Sequence, residues 1–112
     1  MPRPNEPMHA ATATRLIRHA IKQGAEFFYT THAKQRQDLR EMDEVDCENV
    51  LLAGAVKSQY NEFDPEKGWS YRVVTNKGYW VAVRLFGVQE GDDDDDNGVP
   101  AVLHIITCGR PK

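Results

Sequence analysis

The stretch Trp69-Ser70-Tyr71-Arg72-Val73-Val74-Thr75, followed by Asn76-Lys77-Gly78 and Tyr79-Trp80-Val81-Ala82-Val83-Arg84-Leu85-Phe86, decides the fold. Both arms are rich in β-branched and aromatic residues and alternate in polarity. They flank a three-residue turn whose Gly suits the positive φ that such turns use. A β-hairpin follows. If Thr75 opposes Tyr79, residues of equal parity share one side of the ribbon. The odd set, from Trp69, Tyr71 and Val73 to Val81, Val83 and Leu85, is almost wholly apolar and should meet the core. The even set places Arg72, Trp80, Arg84 and Phe86 on the other face.

Outward from the hairpin, Val56 to Phe63 alternates loosely and reads as a strand. Ala101 to Thr107 is apolar on both faces, as in a strand at the middle of a sheet or covered on both sides. Toward the N-terminus the period changes to that of helices. Ala13, Leu16, Ile17, Ala20 and Ile21 mark an amphipathic helix over Ala10 to Gln23, with Gly24 as its stop. Glu26 to Thr30 is short and β-prone, a strand or an extended connection beside that helix. Thr31 is expected to cap a helix through His32, Arg36, Leu39 and Arg40. A third helix is expected over Glu44 to Ala53, burying Val45, Cys47, Val50 and Leu51 and ending at Gly54. Helices come first and strands last, so the expected fold is α+β: N-terminal helices packed on one face of an antiparallel sheet of about four strands.

The chain has 112 residues, 40% hydrophobic and 28% charged, which suits one globular domain over 1–112 and argues against wholesale disorder. Residues 1–9 read as a disordered tail and 88–99 as an acidic mobile loop. No apolar run approaches the roughly 18 to 20 residues that span a bilayer, so neither membrane span nor signal peptide is expected. The two cysteines, Cys47 and Cys108, lack the spacing of a disulfide framework or a zinc site, and a reducing cytoplasm is the expected compartment. The net charge of -3 conceals an uneven distribution. Five acids form the unbroken run Asp92 to Asp96. Adjacent carboxylates lack the alternating spacing of a calcium loop, so no metal site is expected there. Without Glu90 and this run, 14 basic side chains face 11 acidic ones, and a slightly basic body permits a nucleic-acid partner.

Two groups of residues carry chemistry. On the even face, guanidinium groups can grip phosphate and aromatics can stack on unpaired bases, so Arg72, Trp80 and Arg84 suit single-stranded RNA; an ordinary half-solvated sheet is the competing reading. His104 would lie near these arginines if its strand pairs in register, and would otherwise be a packed histidine. The first helix also carries Arg15, Arg18, His19 and Lys22, a basic stripe that reads as a solvated face.

The string Phe28-Tyr29-Thr30-Thr31-His32-Ala33 with Arg36, then Val50 to Val56, Tyr71-Arg72-Val73-Val74 and Ile105-Ile106-Thr107, resembles the DUF4258 family of domains over roughly residues 27–108. The resemblance implies the small α+β fold of barnase, colicin and RelE-like ribonucleases. It also implies a metal-independent, cofactor-free RNA-cleaving toxin held in check by a cognate antitoxin protein. Such cleavage removes a proton from a ribose 2′-hydroxyl, stabilises charge on phosphorus and protonates the leaving 5′ oxygen. His32 suits proton transfer because histidine is the side chain whose unperturbed pKa, about 6.5, lies close to neutral pH. Arg36 and Arg40 follow at one-turn intervals as anion clamps. The alternative at this site is a helix cap and an ion pair. The expected catalytic residues are His32, Arg36 and His104, and the expected RNA- or phosphate-binding residues are Arg40, Arg72, Trp80, Arg84 and Thr107. Many family members continue the last strand as Thr-x-Tyr, whereas here Thr107 is followed by Cys108 and Gly109, which removes a tyrosine donor and raises the weight on His104. A non-enzymatic module that binds RNA or protein through the same surface is the alternative function.

The acidic run yields a first prediction. Replacing Asp92 to Asp96 by a Gly/Ser segment should leave the unfolding temperature unchanged within a few degrees, with or without added divalent ions. A large or ion-dependent loss in a thermal melt would reveal a structured site.

Overall fold

The hairpin forms with the register that parity requires: the backbone N–H of Thr75 donates to the Tyr79 carbonyl at 2.8 Å, and Gly78 turns with a φ of 93°. The computed structural model describes residues 7–40, 42–86 and 102–110. The acidic segment and most of the N-terminal tail lie outside the described residues. Among these, three α-helices, α1 (Ala10–Lys22), α2 (Thr31–Arg40) and α3 (Glu44–Ala53), accompany six strands. The strands are β1 (Glu26–Tyr29), β2 (Ala55–Val56), β3 (Glu62–Asp64), β4 (Gly68–Val74), β5 (Trp80–Phe86) and β6 (Val102–Gly109). The fold is α+β.

The odd hairpin residues face the helices, as expected. Tyr71, Val73, Val81 and Val83 are buried, and Trp69, Tyr79 and Leu85 pack partly buried against them. Leu103, Ile105 and Cys108 extend this apolar face onto β6, and Ile17, Ala33 and Leu51 cover it from the three helices. Removing such apolar area from water is the main favourable term in folding. Cys47 of α3 and Cys108 of β6 are both buried thiols in this core, and Gln37 Nε2 donates to Cys47 Sγ at 3.5 Å.

Four expectations need correction. The sheet is mixed rather than antiparallel and has six strands rather than about four, with strand order β1-β6-β5-β4-β2 and β3 also paired to β4. Its extra member, β1, runs parallel to β6, pairing Phe28 with His104. A parallel pair needs no hairpin turn between its strands, so no local signal announced it. The expected strand over Val56 to Phe63 is two short strands separated by a 3-10 turn at Ser58–Tyr60. The chain between Val56 and Glu62 is longer than the β4 segment between their partners, Val73 and Ser70, and the surplus coils out.

Val45 is exposed rather than buried. Cys47, Val50 and Leu51 share the inward face of α3, and Val45, two residues before Cys47, points roughly opposite at 100° per residue. The N-cap of α2 is Thr30, not Thr31: its hydroxyl accepts from the Ala33 backbone N–H at 3.1 Å and its carbonyl accepts from Lys34. The end of the tail is anchored too, since the Met8 backbone N–H donates to the Tyr71 hydroxyl at 2.9 Å.

The third helix begins and ends for separate physical reasons. Asp43 and Asp46 form a reciprocal capping box at its start. Gly54 ends it with φ -87°, so no left-handed turn is involved. A Cβ at this position would come within 2.8 Å of Val73 Cγ1 and the Val74 carbonyl. Glycine is there to let the chain approach β4. Gly54→Ala should therefore destabilise the protein by about 1 to 3 kcal/mol in urea unfolding, the usual penalty for overpacking.

Candidate functional site

The face of the sheet opposite the helices carries the even residues of β4 and β5, and β6 joins it in register. Arg84 lies directly across from His104, and Ala82 lies across from Thr107. Between these pairs the register slips, because Val83 pairs with Ile105 and leaves Ile106 as an extra residue. Such a bulge reverses the parity that follows it. Thr107, an odd residue, thereby joins Ala82 on this face, while Cys108 turns into the core opposite Val81.

His104 sits between two phenylalanines, with its ring centroid 4.8 Å from Phe28 and 4.2 Å from Phe86. Burial against these rings lowers its pKa below the ordinary histidine value, and the positive charges of Arg84 and Lys67 lower it further. The shift favours the neutral imidazole, whose lone pair can accept a proton.

Arg72, one step along β4, is held differently. Its guanidinium lies 4.0 Å from the Trp80 ring centroid and 4.9 Å from that of Tyr60, a cation between two aromatic faces. The indole itself rests on Gly109, its register partner, where even a Cβ would collide with the ring. With Arg72 over its ring and Gly109 as its register partner, the half-buried Trp80 orients the arginine. Position 109 is also where the sequence resemblance leads one to expect a tyrosine, and the indole covers it. Among the described residues, the Nε atoms of Arg72 and Arg84 are both buried with no hydrogen-bond partner.

The α2 group stands apart. Arg36 Nε donates to His32 Nε2 at 3.5 Å, at the outer limit of a hydrogen bond, and His32 is exposed. Arg40 closes the same helix, and its side chain lies outside the described set. Among the described residues, no hydrogen bond or ring contact joins His32 or Arg36 to the sheet face. The structure thus brings together Arg72, Trp80, Arg84, His104 and Thr107, and leaves His32 with Arg36 as a separate pair.

Phe28, Tyr60 and Lys67 belong to the sheet-face group and were not singled out from the sequence as site residues. Phe28 arrives through the parallel β1–β6 pairing and Tyr60 through the 3-10 turn, neither of which has a local pattern. Comparisons with protein-family models, curated proteins and solved structures found no match.

The direction of the His104 shift sets a pH dependence. A histidine whose folded pKa is lowered binds fewer protons in the folded state than in the unfolded one. Its contribution to stability is complete above the ordinary value of about 6.5 and is lost as pH falls below it. His104→Gln should therefore flatten the decline in unfolding temperature between pH 7.5 and pH 5. An equal decline in both proteins would show that His104 is not selectively held neutral.

Proposed function

We propose that the chain is a metal-independent endoribonuclease that lays single-stranded RNA across the helix-free face of its sheet, with His104 as the proton carrier. One observation carries this reading: the His104 imidazole, its pKa lowered by burial, lies directly across β5 and β6 from Arg84, on the face that also holds Arg72. His104 takes the ribose 2′-hydroxyl proton, and the 2′ oxygen attacks the adjacent phosphorus. The guanidinium groups of Arg84 and Arg72 offset the charge that gathers on the phosphoryl oxygens. The P–O5′ bond breaks, leaving a 2′,3′-cyclic phosphate, and the 5′ oxygen takes a proton from water. Arg72 arrives pre-oriented by Trp80 and Tyr60, so little side-chain freedom is lost on gripping a phosphate.

The kinship with the barnase, colicin and RelE-like ribonucleases, the role of a toxin neutralised by an antitoxin protein, and a reducing cytoplasmic setting belong to the same proposal. They rest on the DUF4258-like motifs. Single-stranded RNA as substrate is supported by the mixture of guanidinium and aromatic groups on one face. A second reading has its own support. A histidine ring held between Phe28 and Phe86 suits base stacking as well as proton transfer, so the same face would serve a binding module without catalysis.

Cleavage of a fluorescently labelled single-stranded RNA in the presence of EDTA separates the two. The nuclease reading expects 2′,3′-cyclic products. His104→Ala should lower the rate by about a hundredfold or more, while His32→Ala stays within a few-fold. Arg72→Ala with Arg84→Ala should weaken RNA binding and reduce its salt dependence by about one to two counterions. Binding without cleavage by the purified wild-type chain would establish the module instead. Loss of activity in His32→Ala alone would move the proton carrier to α2.

A further inference from the structure

The basic stripe of α1 lines a groove that the ribonuclease reading does not use. Between α1 and β2 lies an open trough of about 680 Å³, walled by residues from Ala10 to Gln23 on the helix and by Ala55 and Val56 on the strand. At 1.5 Å per residue it runs roughly 20 Å, the length of α1 itself. Ala11, Ala55 and Val56 make its surface apolar, and Arg15, His19 and Lys22 stand exposed along its helix wall. Arg18 reaches across it, donating from Nη2 to the Gly54 carbonyl at 2.7 Å, while its Nε is buried without a partner among the described residues. No acidic residue lines the trough among the described residues, and α1 contains none.

Three features narrow what fits there. A trough as long as a three-turn helix matches a segment of polymer better than a small anion. The edge of β2 is closed to an added strand, because the Val56 N–H donates to Thr14 Oγ1 and the Gly54 carbonyl accepts from Arg18. The occupant must therefore be read through its side chains. Finally, the lining has no Phe, Tyr or Trp, so an unpaired base finds no aromatic platform of the kind available on the sheet face.

We infer that the groove between α1 and β2 docks an acidic amphipathic helix of a protein partner. Small apolar side chains would rest on Ala11, Ala55 and Val56, and carboxylates would pair with Arg15, Arg18 and Lys22. Charge complementarity of this kind steers association and sets specificity. The inference does not rest on the ribonuclease reading, since Arg72, Arg84 and His104 occupy the other face of the sheet.

The test uses the full chain and three fluorescein-labelled probes. One is a helical peptide of about 18 residues with Glu on one face and Ala and Leu on the other. The second is a scrambled peptide of the same composition, and the third is a single-stranded oligoadenylate RNA. Fluorescence anisotropy should show saturable binding of the amphipathic peptide that weakens with salt, and binding of the scrambled peptide at least about fivefold weaker. Arg15→Glu with Lys22→Glu, two exposed positions, should weaken the peptide by about tenfold and leave RNA affinity unchanged. Ala11→Asp should also weaken the peptide while keeping the native circular dichroism spectrum. Absence of saturable peptide binding would overturn the inference, as would equal binding of the scrambled peptide or binding indifferent to the charge reversal. Loss of RNA affinity in the reversed variant would assign the groove to nucleic acid. None of these results bears on cleavage by His104, which is read separately.

Discussion

The hydroxyl of Thr30 makes two bonds on which much of the architecture depends. It accepts from the Ala33 backbone N–H at the start of α2 and donates to the Ile106 carbonyl at 3.1 Å, 76 residues away. The Thr30 backbone N–H adds a bond to the Ile105 carbonyl. One residue thus ends β1, begins α2 and fixes both to the bulge in β6. A helix N-terminus leaves backbone donors unsatisfied, and an N-cap meets one of them. Here the same side chain also meets an acceptor at the irregular point of the sheet. The consequence reaches the candidate site, because β1 brings Phe28 against His104 and the bulge turns Thr107 onto the face of Ala82.

The two faces of the sheet obey opposite rules. Toward the helices the packing is apolar and closed, and Val81, Val83, Leu103 and Ile105 have no exposed surface. On the other face, two arginines lie with buried Nε atoms that no group among the described residues accepts from. Leaving a buried donor unmet costs on the order of 1 to 3 kcal/mol. A protein selected for stability alone would cover such positions with apolar or acid-paired side chains. Arg72 is compensated by two aromatic faces, which stabilise a cation without consuming its hydrogen-bonding capacity. Its outer N–H groups remain suited to an incoming oxyanion, which is what the proposed RNA-binding role would use.

What the sequence made legible follows the range of the physics involved. The hairpin, its three-residue turn and its face assignment were readable because side-chain alternation and turn geometry are local. The same holds for α1 and for α3 with its terminating glycine. The identity of Arg72, Arg84 and His104 as neighbours was readable conditionally, given a register that the sequence left open. Long-range features were not readable. The parallel partnership of Glu26–Tyr29 with β6 joins segments separated by most of the chain. The bulge at Ile106 exchanges the faces of Thr107 and Cys108 against simple parity, and no residue type there announces it. The failure at Val45 was of another kind. Hydrophobicity does not by itself imply burial, and the turn geometry of α3 places Val45 away from Cys47 and Leu51.

Gly109 shows how absence of a side chain can shape a site. Read along the chain, it is simply the residue that ends the final strand. In the fold, the vacated volume is where the Trp80 indole lies, and any Cβ would displace the ring. The indole in turn sets the plane against which Arg72 stacks. The glycine and the tryptophan are thus one device, and its product is the orientation of a guanidinium. The sheet face consequently gains a fixed cation where it lacks a phenol. Under the proposed function, charge stabilisation would therefore fall to the pre-oriented arginines and proton transfer to the imidazole of His104.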